Sequence, residues 1–511
     1  MSSFETVLVL AAVVIVLLQV SRKLAVPYPA MLALAGMAMA VLPWVPDIAL
    51  DPRQVLAVFI APALLEAAYT FPSSALLRYF VPLFTLATVV VLITTAAVAG
   101  LAMVWQNIPL AAAVALGAIV SPPDEAAATA MISQLKLPRS TLAILTGESL
   151  FNDTVALLLY SAALGFVAAD NDHAAVISQI TLALPGAALL GVVVGAIYLV
   201  LGPLLSGTMS GVLLGFVATF GSWVIADRLN LSPTTAVIAF AMTLARYLPG
   251  RQLAHDRVFA GVVWQLTVFV LNAGAFLLIG LEARAIVLRE LAHNNLGNAL
   301  TFAVGVFVVV VVARGVCVGI YYRIVRNFSR QRGQKVSVGR QSILVAWCGM
   351  RGLVTLATAL ALPENFPSRD LIVLSALSVV LGTLVLQGLT LVPLIRALRF
   401  APDTSFISEF SKARVALLDA ALEDLNEGAD ERQQLLRRTY EIDKAITQKS
   451  GYQRSAHALN ALRCRLVRVQ RVRLLELRRC GKLEDDVFRE LERTLDLAEL
   501  AATPTARLEM T

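Results

Sequence analysis

Four polar residues occupy one turn of an otherwise apolar stretch, TGESLFNDTVALLLY, at residues 146–160. Glu148 and Asn152 are four residues apart, and so are Ser149 and Asp153, which makes each pair neighbours on a helix surface. The turn then offers two carboxylates, a hydroxyl and an amide to a single cavity. Oxygen ligands of this kind suit hard cations, and the lack of Cys or His in the stretch argues against a transition metal.

The two carboxylates need not share a role. Asp153 is predicted to titrate near physiological pH, where a carboxylate holds either a proton or a cation but not both. Glu148 is predicted to form a structural ion pair with Arg351, because an unpaired arginine inside a helix bundle is costly. Arg314 is predicted to close a network with Glu66 or Glu282.

The composition places these residues in an integral membrane protein. The 511 residues are 58% hydrophobic and only 15% charged, whereas soluble domains carry about 25% charged residues. The N-terminal run has no positively charged leader and no small-residue cleavage site, so a retained transmembrane helix is expected. The four cysteines show no CxxC spacing, and neither a disulfide framework nor a metal site built on them is predicted.

Apolar runs of roughly 20 residues, the length that crosses a bilayer, recur through the first 400 residues. They predict thirteen crossings at approximately 5–21, 27–45, 54–71, 79–105, 109–132, 141–168, 177–202, 208–226, 233–247, 258–283, 298–322, 340–362 and 371–396. Lys and Arg concentrate in short cytoplasmic loops of membrane proteins. Their distribution here favours a multi-pass protein of the cell membrane with its N-terminus outside and its C-terminal tail in the cytoplasm.

The chain becomes polar and helix-prone beyond Pro402. We expect a transmembrane domain at 1–400 and a helical cytoplasmic domain at 401–511 that senses pH, binds a regulator or stabilises an oligomer. The basic stretch 463–479 either contacts anionic lipid headgroups or pairs with the acidic helix 484–492, and the second interpretation is favoured. Nucleic-acid binding is not expected.

Two predicted spans are interrupted near their middle. AAAVALGAIVSPPDEAAATAMIS contains Pro122 and Pro123, which break a helix because proline lacks a backbone donor and clashes with the preceding turn; Asp124 and Glu125 follow directly. In SILVAWCGMRGLVTLATALALP, two glycines flank Arg351. The two spans cross in opposite directions, which is typical of inverted-repeat transporters whose substrate site lies where the broken helices meet.

Ionisable residues inside these spans are further candidates for an ion path. A charge at the bilayer centre costs on the order of a few kcal/mol or more, so such residues usually face the bundle interior or an aqueous cavity. They are Glu66, Asp124, Glu125, Glu148, Asp153, Arg314 and Arg351.

Several motifs resemble those of the sodium/proton exchanger family of monovalent cation/proton antiporters. GESLFND resembles the family's signature helix, SPPDEAA its unwound crossing segment and FLLIGLEAR its FxLIGL-type segment. GMRGLVTLATALALP resembles its arginine-bearing crossing helix, and APALLEAAYTF its third-span signature. Together these motifs extend over nearly the whole of residues 1–400.

The resemblance implies an all-α membrane protein of about thirteen helices in inverted repeats with two crossed broken helices. It implies a core and a dimerisation domain, a homodimer and an elevator-like movement. Asp153 would be the main ion and proton carrier, with Asn152 as its neutral neighbour and Ser149 as a further ligand, so that Na+ binds at Asp153 and Ser149. An Asn before the carrier Asp is typical of the electroneutral members. No cofactor is implied beyond the transported cation and proton.

One motif departs from the family pattern. The usual Thr-Asp-Pro of the crossing segment is replaced by Pro123, Asp124 and Glu125. Pro123 retains a backbone carbonyl as an ion ligand beside Asp124, but the threonine hydroxyl is lost. Glu125 adds a titratable group, a candidate accessory residue together with Glu66 and Arg314.

Other functions fit the sequence less well. Oxygen-ligand cavities discriminate ions by size and hydration, so the motifs do not choose between Na+ and K+ or Li+, and a K+-selective exchanger is the nearest alternative. An intramembrane aspartyl protease would use two carboxylates as acid and base, but its GxGD context is absent. A proton-pumping subunit of a respiratory complex would need buried lysines, which the predicted core spans lack. No enzyme activity is expected.

Overall fold

The computed structural model describes residues 3–24, 28–40, 52–72, 76, 80–124, 139–168, 173–292, 296–331, 338–400, 405–425, 431–448, 452–480 and 483–503. All regular secondary structure in these residues is helical, which confirms the predicted all-α class. The chain divides into two compact units, Met1–Ala401 and Pro402–Thr511.

The first unit contains the apolar helices. They are α1 (Ser3–Leu24), α2 (Tyr28–Ala40), α3 (Pro52–Thr70), α4 (Phe80–Thr85), α5 (Val91–Gln106), α6 (Leu110–Val120), α7 (Arg139–Ala168), α8 (His173–Leu201), α9 (Met209–Arg228), α10 (Pro233–Tyr247), α11 (Ala254–Ala292), α12 (Leu296–Gln331), α13 (Val338–Trp347), α14 (Leu353–Leu360) and α15 (Arg369–Leu398). A π-helical turn, Leu86–Val90, joins α4 to α5. A short 3-10 helix, Gly202–Leu205, follows α8.

Seven helical segments within the described residues are long and apolar enough to cross a membrane. They are Leu83–Gln106, Thr141–Val167, Thr181–Leu205, Met209–Arg228, Ala254–Leu278, Gly297–Asn327 and Arg369–Leu398. Shorter apolar segments lie within α1, α2, α3 and α6. The number of thirteen crossings stays a prediction, because some predicted spans, such as 27–45 and 109–132, extend beyond the described residues.

Glycines allow two helices of the first unit that are far apart in sequence, α2 and α11, to pack in close contact. A Cβ atom on Gly36 of α2 would overlap the backbone carbonyl of Leu277, and one on Gly280 of α11 would overlap that of Ala33. Small residues at helix interfaces permit this close backbone approach in membrane proteins. Gly280 belongs to the FLLIGL motif, so one function of that motif is the packing of α11 against α2.

The two interrupted helices meet at their breaks. After α6 the chain is non-helical at residues 121–124, and residues 348–352 separate α13 from α14. The amide nitrogen of Asp124 donates a hydrogen bond to the carbonyl oxygen of Met350 at 2.6 Å. Both predicted interruptions are therefore confirmed. The segment after the first break, including Glu125, lies outside the described residues.

The second unit consists of amphipathic helices α16 (Ser405–Asp424), α17 (Glu431–Gln448), α18 (Tyr452–Arg479) and α19 (Asp485–Ala502). Arg471 of α18 contacts both Asp496 and Glu499 of α19, at 2.7 and 2.8 Å. The guanidinium of Arg478 lies 4.3 Å from the ring centre of Phe488. The basic stretch thus pairs with the following acidic helix, as predicted, but the carboxylates that Arg471 contacts lie C-terminal to the predicted segment 484–492.

Candidate functional site

A single helix, α7, carries the four polar residues of the GESLFND stretch. Glu148, Ser149, Asn152 and Asp153 are all buried, with exposed fractions of 1%, 7%, 0% and 7%. The i, i+4 spacing inferred from sequence is thus realised on a helix, and the polar turn faces protein and not lipid. Burial of this many polar atoms requires partners for them, and one of these partners comes from the first broken helix.

Ser149 connects α7 to the first break. Its hydroxyl donates a hydrogen bond to the carbonyl oxygen of Pro123 over 3.2 Å. Proline ends the helix at this position, so its carbonyl oxygen is available to a side chain of another helix, α7. The structure therefore brings together two of the predicted ion ligands, the Ser149 hydroxyl and the Pro123 carbonyl.

Asp124 follows the first break, and its side chain lies at the start of α14, the second half of the other broken helix. Its Oδ2 atom accepts a hydrogen bond from the backbone nitrogen of Leu353, the first residue of α14, over 3.0 Å. A carboxylate at this place satisfies an unpaired N–H group and interacts favourably with the positive end of the helix dipole. Asp124 thus holds the two breaks together, and its predicted role as an ion ligand stays a prediction.

Gly352 makes the approach of Asp124 possible. A Cβ atom at position 352 would overlap the Asp124 carboxylate. We therefore expect Gly352→Ala to displace this carboxylate from the start of α14, to lower the free energy of unfolding by about 1–3 kcal/mol and to impair transport. Thermal unfolding and ion flux of the purified protein measure both effects.

Gly221→Ala is the matched control for this substitution. Gly221 lies in α9, and a Cβ atom there would meet nothing within 4 Å. Alanine is favoured over glycine inside a helix by about 0.5–1 kcal/mol, so the control is expected to keep or slightly raise stability. Equal behaviour of the two variants would contradict the role given to Gly352.

Glu148 pairs with Arg314 of α12, which corrects the predicted pair of Glu148 with Arg351. The two guanidinium nitrogens of Arg314, Nη1 and Nη2, contact Glu148 Oε1 and Oε2 at 2.6 and 3.2 Å. Nη2 also donates to the carbonyl oxygen of Val345 at 3.0 Å. Both side chains are only 2% exposed. Arg314, predicted to join Glu66 or Glu282, therefore pairs with Glu148. Glu66 is partly buried on α3, and the side chain of Glu282 lies outside the described residues.

Arg351 binds backbone carbonyls instead of a carboxylate. Its Nε donates to the carbonyl oxygen of Val120, the last residue of α6, and its Nη1 to that of Gly349, both at 2.7 Å. The last carbonyls of a helix have no partners within it and carry partial negative charge, which explains why a fully buried cation is stable here. Arg351 thus places a positive charge at the C-terminal end of α6, and Asp124 places a negative charge at the N-terminal end of α14.

Two interactions that support the arginines were not predicted from the sequence. Gly349 leaves room for Arg314, because a Cβ atom there would overlap the Arg314 side chain. The hydroxyl of Thr383 on α15 accepts a hydrogen bond from the backbone nitrogen of Arg351 at 3.0 Å. Gly349 could have been found because it belongs to the GMRG motif. Thr383 could not, because a single threonine in an apolar helix gives no sequence signal.

Asn152 has an unusual environment for a buried amide. Among the residues that the structure describes, neither its Oδ1 nor its Nδ2 has a hydrogen-bond partner, and the hydroxyl of Thr355 on α14 has none either. Buried polar groups are nearly always hydrogen-bonded, so these atoms require an explanation. The Asn152 carbonyl oxygen is one turn of α7 away from Ser149, and its role as a neutral oxygen ligand stays a prediction.

The ligand chemistry of the site is mixed. In the described part of the chain, no group of three or more His, Cys, Asp or Glu side chains is arranged to hold a metal ion. The groups gathered around α7 are instead the Asp153 carboxylate, the Ser149 hydroxyl, the Asn152 amide and the Pro123 carbonyl. A low-charge set of hard oxygen atoms suits a monovalent cation better than a strongly bound divalent metal.

Known proteins resemble the chain over most of its length. The family model described as sodium/hydrogen exchanger, transmembrane, matches residues 8–397. The Na+/H+ antiporter NhaP of Pseudomonas aeruginosa is 34% identical over 68% of this chain and 82% of its own. A sodium, potassium, lithium and rubidium/H+ antiporter of Bacillus pumilus is 27% identical over 84% of this chain and 67% of its own.

Solved structures show the same fold. The sodium proton antiporter MjNhaP1 of Methanocaldococcus jannaschii, determined at pH 8, superposes with a TM-score of 0.55 at 18% sequence identity, and the match covers 76% of this chain and all of that one. The family model covers well over half of the chain, with the GESLFND helix and both breaks inside the matched region. The chain is therefore a member of the sodium/hydrogen exchanger family, which comprises multi-pass membrane transporters and not enzymes.

Proposed function

We propose that the protein is a secondary active antiporter that exchanges cytoplasmic Na+ for external H+ at Asp153. The observation that carries this proposal is the hydrogen bond between Ser149 and the Pro123 carbonyl. It joins the polar turn of α7 to the break of the first interrupted helix, so that a carboxylate, an amide, a hydroxyl and a carbonyl share one buried region. Family membership and the Na+/H+ antiporters among the relatives support the same activity.

Competition between the two ions explains the exchange. A deprotonated Asp153 holds Na+ with the help of the oxygens of Ser149, Asn152 and Pro123, and a proton on the carboxylate removes the charge that the cation needs. A site that changes membrane side only when Asp153 carries one of the two ions couples their movements. The proton gradient then drives the extrusion of Na+.

We propose a 1:1 electroneutral stoichiometry in which Asp153 is the carboxylate that changes its charge. Glu148 is held by Arg314 in a bidentate ion pair, and Asp124 is held by the backbone of α14. Asn152 takes up no proton under physiological conditions. One proton on Asp153 is thus exchanged for one monovalent cation.

The movement and assembly of the protein follow the same proposal. A core domain that contains the crossed helices moves like an elevator against a dimerisation domain, and two copies form a homodimer in the cell membrane. The N-terminus lies outside, and residues 401–511 form a cytoplasmic helical domain that senses pH, binds a regulator or stabilises the dimer. Glu66 and Glu125 are accessory candidates along the ion path.

K+ is the second candidate substrate. The relative from Bacillus pumilus, which is described as exchanging potassium, lithium and rubidium as well as sodium, matches 84% of this chain. Oxygen-lined sites separate these ions by cavity size and by the number and strength of their ligands. The threonine hydroxyl that the family pattern has in place of Pro123 is one such ligand. Its loss can change which cation is preferred, so the preference has to be measured.

Proton movement in proteoliposomes tests the function directly. The purified protein is reconstituted with a pH-sensitive dye inside, and Na+, K+, Li+ or choline is added with the membrane potential clamped or free. We expect Na+ to move protons, choline to have no effect, and the rate to be unaffected by the potential. A rate that changes with potential would reject the 1:1 stoichiometry, and no response to any cation over a wide pH range would reject antiport.

A further inference from the structure

A cavity of about 130 Å³ lies in the first unit, away from α7, between the connection from α8 to α9 and the connection from α10 to α11. The Ser206 hydroxyl and the Gly207 backbone nitrogen both donate to Oδ2 of Asp256, at 2.7 and 2.8 Å, and link the α8–α9 connection to the first turn of α11. Three candidate membrane spans begin or end at these connections. The cavity is therefore at one face of the membrane.

The floor of the cavity has hydrogen-bonding groups on aromatic rings. Gly215 of α9 lacks a side chain, and a Cβ atom there would lie 3.6 Å from Nε1 of Trp264 and 3.8 Å from Oη of Tyr198. Trp264 stacks on Phe216 with ring centres 4.4 Å apart, which fixes its indole. An indole N–H is a donor only, and a phenol hydroxyl also donates. The floor thus has two donors near one point.

The rim of the cavity carries one permanent cation, Arg251. Arg251 and His255 are exposed lining residues, and Arg251 is charged at any physiological pH. Asp256 is the acid among the lining residues, and its Oδ2 already accepts two hydrogen bonds from the α8–α9 connection. Donors in the floor and a guanidinium at the rim together favour an anionic ligand.

The rest of the lining is apolar, which distinguishes a lipid from a free anion. Met209 and Phe259 line the cavity and are 68% and 36% exposed at the ends of membrane spans. Tryptophan and tyrosine favour the membrane interface, and basic pockets between helix ends bind anionic headgroups. We propose that this cavity binds the phosphodiester headgroup of an anionic membrane lipid, with its acyl chains along Met209 and Phe259.

Lipid binding to the delipidated, full-length protein tests this assignment. Phosphatidylglycerol, phosphatidylcholine or inorganic phosphate is added in detergent, and bound lipid is counted by native mass spectrometry. We expect one tightly retained phosphatidylglycerol per chain and weaker retention of phosphatidylcholine. Arg251→Ala is expected to weaken phosphatidylglycerol binding about fivefold, as the loss of one arginine near a headgroup does. Trp264→Phe, which removes only the N–H donor from the stacked ring, is expected to weaken it about fivefold as well.

Two further variants separate this site from general charge effects and from misfolding. Arg246→Ala removes a cation at the end of the neighbouring α10, where Arg246 lies 5.6 Å from the Tyr247 ring centre and does not line the cavity, and it is expected to leave binding unchanged. Gly215→Ala adds a methyl group at ordinary contact distance, so the protein folds while the floor is filled and binding weakens.

Three results would overturn the proposal. Protection of the protein from thermal unfolding by inorganic phosphate to the same extent as by phosphatidylglycerol would indicate a free-anion site. Equal retention of both lipids would exclude headgroup recognition. Equal losses in Arg246→Ala and Arg251→Ala would indicate a diffuse surface charge. Binding is measured without ion flux, so these outcomes are independent of the proposed antiport.

Discussion

Replacement of Asp153 by asparagine is expected to reduce Na+-dependent proton movement to the level of empty liposomes. The substitution keeps the shape of the side chain but removes the charge that binds either Na+ or a proton. Asparagine has the same size and still forms hydrogen bonds, so we expect the variant to fold. Flux measurements and thermal unfolding of the same reconstituted preparation separate the loss of transport from misfolding.

Two variants serve as comparisons for Asp153→Asn. Asp227→Asn makes the same chemical change at the exposed end of α9, and it is expected to transport at the wild-type rate. Asp153→Glu retains the charge but lengthens the side chain, so slow, still Na+-dependent flux is expected. Substantial exchange by Asp153→Asn would refute the competition at this residue, and Glu148 or Asp124 would then have to carry the proton.

The sequence predicted those features of the site that depend on neighbouring residues. Proline at 122 and 123 and the glycines around Arg351 interrupt helices through local backbone chemistry, so the breaks were foreseeable. The stacking of Ser149 and Asp153 follows from helical spacing alone. The pairing of α18 with α19 was also foreseeable, because these helices are adjacent in sequence and opposite in charge.

The identity of the ion pair depends on packing between distant helices and was predicted wrongly. Glu148 and Arg314 are 166 residues apart, and both Arg314 and Arg351 are fully buried cations whose charge alone makes either a plausible partner. The choice depends on two features of the fold. Gly349 leaves space for Arg314, and the last carbonyls of α6 provide Arg351 with acceptors. Neither feature appears in composition or periodicity.

Loss of one partner of the Glu148–Arg314 ion pair is expected to lower the free energy of unfolding strongly. Arg314→Met leaves Glu148 buried without its cation, and removal of one partner from a buried ion pair costs about 3–5 kcal/mol. Glu148→Gln leaves Arg314 in the same position and is expected to be destabilising too. The double variant is expected to recover much of the loss, because replacement of a whole buried pair by neutral groups is often nearly neutral. Thermal unfolding of the four proteins measures the coupling.

The same cycle with Arg351 decides between the two pairings. Arg351→Met removes donors from the carbonyls of Val120 and Gly349, a loss that neutralising Glu148 does not repair. We therefore expect the effects of Glu148→Gln and Arg351→Met on unfolding to be close to additive, whereas residues in direct contact couple by about 0.5–3 kcal/mol. Stronger coupling of Glu148 to Arg351 than to Arg314 would contradict the bidentate contact on α12. Glu148 would then belong to the crossing itself, and its exclusion from proton exchange, on which the 1:1 stoichiometry rests, would lose its structural basis.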